Sequence, residues 1–142
     1  MDELKTQFDN EAKKEYLRSY RKALRREQDI LEEIQQLRMD KMFPSLVSDG
    51  MPKGSSQSDL SDYMVHWDEL MDRLKQERAA KMKLMDEIDK RIRVMKDEDE
   101  QRVLRLHYIK GLDWGQTARE MACGERNVHR IHSRALRNFK MS

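Results

Sequence analysis

From Asp2 to Lys41 the chain has no Pro or Gly, and apolar or tolerant positions recur at Tyr16, Tyr20, Ala23, Ile30, Ile34 and Leu37. The steps are threes and fours, with Glu27 in the one expected place that is polar. Leu17, Leu24 and Leu31 widen the same face. This spacing predicts a first long helix over 1–42 with a coiled-coil-like seam. A second stripe runs through Leu60, Met64, Trp67, Met71, Leu74, Met85, Ile88, Ile92 and Met95 on one heptad lattice, with the polar Arg78 and Lys81 in its middle. It predicts a helix over 60–96, capped by Ser58 or Asp59 and helped by Asp62 in its first turn.

Between them, residues 43–59 collect both prolines, Pro44 and Pro52, with Gly50, Gly54 and five serines. Pro44 disfavours helical geometry in the residue before it, so the first helix must end by Phe43. Asp49-Gly50 and Pro52-Lys53-Gly54 are turn chemistry. The linker is long enough to reverse the chain, and the two helices are expected to fold back as an antiparallel hairpin. Phe43, Leu46, Val47 and Met51 are apolar enough to pack on it. Gly50 to Gly54 lacks the glycine–lysine–helix pattern of a phosphate loop. A hairpin buries each helix on one side only, leaving a second side for the C-terminal module or for a second copy.

The acidic run Asp97 to Glu100 reads as a helix start. A first module helix follows over about Asp99–Ile109, with Val103, Leu104, Leu106 and Tyr108 apolar, and Lys110-Gly111 ends it. Asp113 is a good N-cap for a short helix reaching Met121, Cys123-Gly124 makes a turn, and a last helix runs from Glu125 to about Phe139. Its inward stripe is Val128, Ile131, Ala135 and either Leu136 or Phe139. The fold class expected is all-α: a hairpin over 1–96 and a helix-turn-helix module over 97–142.

Composition sharpens this. Of 142 residues, 37% are hydrophobic and 39% charged, which suits long amphipathic helices better than a single globule. The net charge of +2 hides an asymmetry: residues 101–142 carry nine Lys/Arg against three Asp/Glu, whereas residues 1–100 carry 20 against 24. The polyanion-binding surface is therefore expected at the C-terminus. The basic run Arg21 to Arg26 reads instead as a salt-bridged face, with Glu27, Asp29, Glu32 and Glu33 at helical pairing distances. The single cysteine, Cys123, forms no internal disulfide and reads as inert. Four methionines on the second stripe read as core filler. His66 with scattered carboxylates lacks the spacing of a metal site, and no nucleophile–base arrangement is visible around His107, His129 and His132. No enzyme activity, metal or cofactor is expected. No apolar run approaches a membrane span and no signal peptide is seen, so the expected location is the cytoplasm.

On the last helix, Glu125, Arg126, His129, Arg130 and Ser133 lie off the inward stripe, starting at the end that a helix-turn-helix places in the major groove. Arg forks onto guanine O6 and N7, Glu accepts from the cytosine amino group, and His donates to ring nitrogens and carbonyls. Arg134, Arg137 and Lys140 follow where phosphates would pass.

The stretch VLRLHYIKGLDWGQTAREMACGERNVHRIHSRALRNF resembles region 4 of bacterial sigma factors, the module that reads the −35 promoter element. The pattern WxxxAxxMxxxxRxVxRIHxxAL, with the linker SDGMPKGSSQSDLSDY before a long helix, is more closely similar to small phage and prophage sigma-factor-like transcriptional regulators of the ArpU/RinA type. This likeness covers about Phe43 onward. It implies base reading by Glu125, Arg126, His129 and Arg130, and backbone contact by Ser133, Arg134, Arg137 and Lys140. It implies double-stranded DNA and host RNA polymerase as partners, with the hairpin dimerising or docking on the polymerase. Thr117 stands where an Ile is usual and Gly124 where a capping Ser is usual, so looser local packing is expected, as it is from Gly115 inside the short helix. Regions that would bind a −10 element are not recognisable. A DNA-packaging recognition subunit like a small terminase, which also joins a helix-turn-helix to an oligomerising hairpin, and a non-DNA-binding structural helical protein are the alternatives.

Overall fold

A computed structural model describes residues 2–42 and 56–142, and every element among them is helical. In order these are α1 (Asp2–Met42), α2 (Ser56–Arg93), α3 (Glu98–Leu104) running on into a π-helical turn (Arg105–Ile109), α4 (Trp114–Glu120) and α5 (Glu125–Asn138). The turns and packing expected of the proline-rich linker fall at 43–55 and lie outside the described residues.

Packing gathers the chain into two compact units, one of residues 1–22 and 81–142 and one of residues 23–80. Both long helices pass through both units.

In the 23–80 unit, Ile30 and Ile34 of α1 close on Leu70 and Leu74 of α2, with Leu31, Leu37 and Trp67 along the margins. Arg26 pairs with Glu77 at 3.2 Å, Glu27 with Arg78 at 3.6 Å and Glu33 with Arg73 at 3.2 Å. Numbers rise along one helix as they fall along the other, so the two are antiparallel. The charged face of α1 is thus salt-bridged, but across to α2 rather than to the same-helix carboxylates that the spacing suggested.

The seam on α2 also differs from the expected lattice. Leu60, Met64 and Met71 are exposed, and Leu70 is buried in place of Met71. The steps 67–70–74 and 67–71–74 are equally helical, and a single partner helix covers only the flank that faces it. Met64 and Met71 are therefore surface residues, not core filler; Met85 is half-buried and Met95 buried. The helix already runs from Ser56, which puts Ser58 and Asp59 inside it rather than at the cap. Asp59 still lies in the first turn, where the helix dipole favours a carboxylate. At its other end α2 stops at Arg93 rather than 96, and Asp97 begins the next element.

In the unit of residues 1–22 and 81–142, one core joins Leu17 of α1, Ile88 and Ile92 of α2, Met95, Leu104, Tyr108 and Ala135, Leu136 and Phe139 at the end of the chain. Leu136 and Phe139 are both inward, where the helical pattern left a choice. Phe139 sits one residue past α5 and is fully buried, which fixes where the last helix stops.

Candidate nucleic-acid interface

The module begins with capping chemistry. Asp97 accepts a hydrogen bond from the Glu100 amide at 3.0 Å and starts α3 one residue earlier than expected. Glu100 is itself buried, where its carboxylate accepts from Asn138 Nδ2 of α5. The chain then widens: the Lys110 amide donates to the Arg105 carbonyl at 2.9 Å, an i to i−5 bond, and the Leu112 amide reaches the Leu106 carbonyl at 3.0 Å. This π turn lets Leu106 and Tyr108 both face inward. Gly111 follows at φ +74°, and the Arg21 guanidinium lies where a Cβ would be. The positive φ favours glycine, and a side chain here would have to displace the flexible end of Arg21.

α4 opens with a full capping box, Asp113 taking the Gln116 amide and Gln116 the Asp113 amide. Thr117, expected to loosen the core, is fully buried with its hydroxyl donating to the Asp113 carbonyl at 2.8 Å. That bond removes the cost of a buried hydroxyl. The turn to α5 runs through Met121 to Gly124, and its left-handed residue is Ala122 at φ 55°. Gly124 takes the extended N-cap conformation of α5 without a side-chain acceptor, as expected of a glycine at that position.

α5 then displays the residues that the sequence singled out. Glu125, Arg126, His129, Arg130 and Ser133 are exposed, while Val128, Ile131, Ala135 and Leu136 are buried beneath them. Arg137 is also exposed. Arg134 is half-buried and 3.7 Å from Asp97, and Lys140 lies beyond the helix end, its carbonyl accepting from Arg91 at 3.1 Å. Lys13 of α1 donates to the Leu136 carbonyl at 2.7 Å. Lys13 thus satisfies a carbonyl in the last turn of α5, where positive charge is favoured, and Arg91 holds the segment just beyond the helix.

Residues 97–140 match the Sigma-70, region 4 family. This is a DNA-binding helix-turn-helix domain family, and α4 and α5 are the two helices of the motif. The match spans less than half of the chain. Neither a curated protein nor a solved structure matches it.

The region 4 module also holds a group that the sequence did not assemble. Trp114, at the start of α4, stacks on His107 with ring centroids 3.7 Å apart. It lies 4.8 Å from His129 and 4.6 Å from His132. His107 Nδ1 donates to the Leu112 carbonyl at 2.8 Å, and the Tyr108 hydroxyl is hydrogen-bonded to His132 Nε2 at 2.7 Å. Burial pushes His132 down to about 4 and Tyr108 up to about 12, and it lowers His107 as well. His132 is therefore a neutral core residue, and His129 is the one histidine of the group that faces outward. The i, i+3 spacing of His129 and His132 was the signal available in sequence; their meeting at Trp114 joins α5 to the start of α4. Among the described residues no group of His, Cys, Asp and Glu could hold a metal ion, and no helix is long and apolar enough to cross a membrane.

Proposed function

We propose that this chain is a sequence-specific transcriptional regulator of the phage or prophage type. On this reading it binds promoter DNA through residues 97–140 and acts with host RNA polymerase in the bacterial cytoplasm. The observation that carries the proposal is the solvent-facing edge of α5, Glu125, Arg126, His129 and Arg130, at the N-terminal half of the second helix of a region 4 motif. That edge presents a forked donor pair, an acceptor and an imidazole to the major groove. Ser133, Arg134, Arg137 and Lys140 extend it along the phosphates. Arg134 would exchange its long, partly exposed ion pair with Asp97 for a phosphate at little cost, because such pairs near the surface contribute about 0–1 kcal/mol. The long helices serve as the body that dimerises or meets the polymerase, and no catalytic role is assigned to any residue.

Selection of bound duplexes from a random-sequence pool, followed by gel shift of the selected site against competitor DNA, tests the reading. The double variant Arg126→Ala plus Arg130→Ala is expected to lose about thirtyfold to twenty-thousandfold in specific affinity, at roughly 1–3 kcal/mol for each of the two forked contacts. Enrichment of no site, or an unchanged affinity in the double variant, would falsify it. Recovery of RNA polymerase with the tagged protein from nuclease-treated host lysate tests the partner.

A further inference from the structure

Three imidazoles converge on one indole in the region 4 module, and they differ in what else holds them. His107 stacks on Trp114 with the rings 14° from parallel, and its Nδ1 is bonded to the Leu112 carbonyl. His132 meets the indole at 62°, and its Nε2 is bonded to the Tyr108 hydroxyl. His129 meets it at 51°, is exposed, and makes no hydrogen bond or ion pair among the described residues. Its ring packs against Trp114 while both of its ring nitrogens stay uncommitted.

Trp114 is fixed independently of His129. The capping box of Asp113 and Gln116 pins the backbone at the first residue of α4. The two anchored imidazoles then restrict the indole, one stacked on it and one at an angle to it. Trp114 is half-buried, so part of the ring stays at the surface beside α5. The next residue also lies against the reading edge: a Cβ on Gly115 would be 3.9 Å from Glu125 Oε1. Glu125 and His129 stand one helical turn apart, so the opening turn of α4 lies against both.

A side chain that must reach a base edge loses affinity to the ordering of its own rotamers. An exposed histidine with no neighbour keeps that freedom until DNA arrives. A rigid indole beside it removes part of the freedom in advance.

We propose that Trp114 is a positioning residue for base recognition: it holds the His129 imidazole in place on the reading edge, so that α4 sets the readout of α5 at one base pair. This rests on the DNA-binding reading above, and it gives Trp114 no DNA contact of its own.

The full-length protein is titrated by fluorescence anisotropy with the labelled duplex enriched from the random pool. The same titration is run with duplexes that change each of its base pairs in turn, and with a duplex of random sequence. His129→Ala is expected to flatten the preference at one base pair, which locates its contact. Trp114→Leu is expected to weaken the preference at that same base pair by about two- to tenfold, the range for ordering one free side chain, and to leave affinity for the random duplex unchanged. Trp114→Phe keeps a ring and is expected to retain the preference. Adding Trp114→Leu to His129→Ala is expected to take nothing further from that base pair. An unchanged preference in Trp114→Leu, a loss spread evenly over all base pairs, equal losses in Trp114→Leu and Trp114→Phe, or unchanged preferences in His129→Ala overturns the proposal while leaving the DNA-binding reading intact. A wild-type measurement covers the case in which Trp114→Leu does not fold. Proton cross-relaxation between the Trp114 indole and the His129 imidazole is expected both in the free protein and in the complex, and its disappearance on binding overturns the proposal. Failure of wild type to prefer any duplex overturns the DNA-binding reading and this inference with it.

Discussion

The unit of residues 23–80 and the unit of residues 1–22 with 81–142 use the same two helices in different ways. In the first, two antiparallel segments share a single row of four buried aliphatic residues, bordered by ion pairs. In the second, the helices are two walls of a core that also takes residues from Met95 to Phe139. A two-helix seam leaves each helix wet on its far side, which is why Met64 and Met71 are exposed. Adding further helices around the same seam closes the far side, so that Leu17, Ile88, Ile92 and Phe139 are shut off completely. The lesson is that the long helices are not a stalk to which a DNA-binding module is attached. Their ends are part of the module's interior.

This difference has measurable consequences. The largest should come from cavities. Leu17→Ala, in the multi-helix core, is expected to cost about 3–5 kcal/mol by denaturant unfolding followed by circular dichroism. Leu74→Ala, in the two-helix seam, is expected at the lower end, about 2–3 kcal/mol, because solvent-bordered helices can close on the gap. Equal losses at the two positions would erase the contrast.

A second test is pH. His132 is held neutral in the folded protein at a value of about 4, below the ordinary 6.5 of an unfolded histidine. Between those values the unfolded chain binds the extra proton, so stability is complete above pH 6.5 and is lost as the pH falls toward 4. The loss totals about 3 kcal/mol at most. The histidine of the other unit, His66, is exposed. A pH series of unfolding curves should therefore slope over this window in wild type, and the slope should shrink in His132→Phe. A slope identical in both proteins would contradict the burial argument.

The smallest effect belongs to the ion pairs. Arg26→Ala breaks the bond to Glu77 across two partly solvated side chains and is expected to change stability by about 0.2–1 kcal/mol, less in high salt. A salt-independent loss larger than this would mean that charge, and not the aliphatic row, holds the 23–80 unit together.

Much of the fold was legible in the chain. The two long helices, the cap at Asp113, the inward set Val128, Ile131 and Ala135 and the outward edge Glu125, Arg126, His129 and Arg130 follow from period and capping chemistry alone. Local pattern carries these because a helix offers one face to the interior wherever that interior lies. It could not choose between Leu70 and Met71, since both satisfy the helical period and only the position of α1 separates them. Neither could it foresee that Ala122, not a glycine, takes the left-handed turn, because nothing in the local pattern marks an alanine for that conformation.

The sequence by itself determined that this is a helical protein with a basic, region 4-like helix-turn-helix at its C-terminus, since periodicity, caps and motif spacing are local properties. Tertiary structure alone decided that Leu17 and Ile88 share a core with Phe139 and that His107, His129 and His132 gather at Trp114. Those relations join residues more than a hundred positions apart, and only chain reversal and shared burial bring them together.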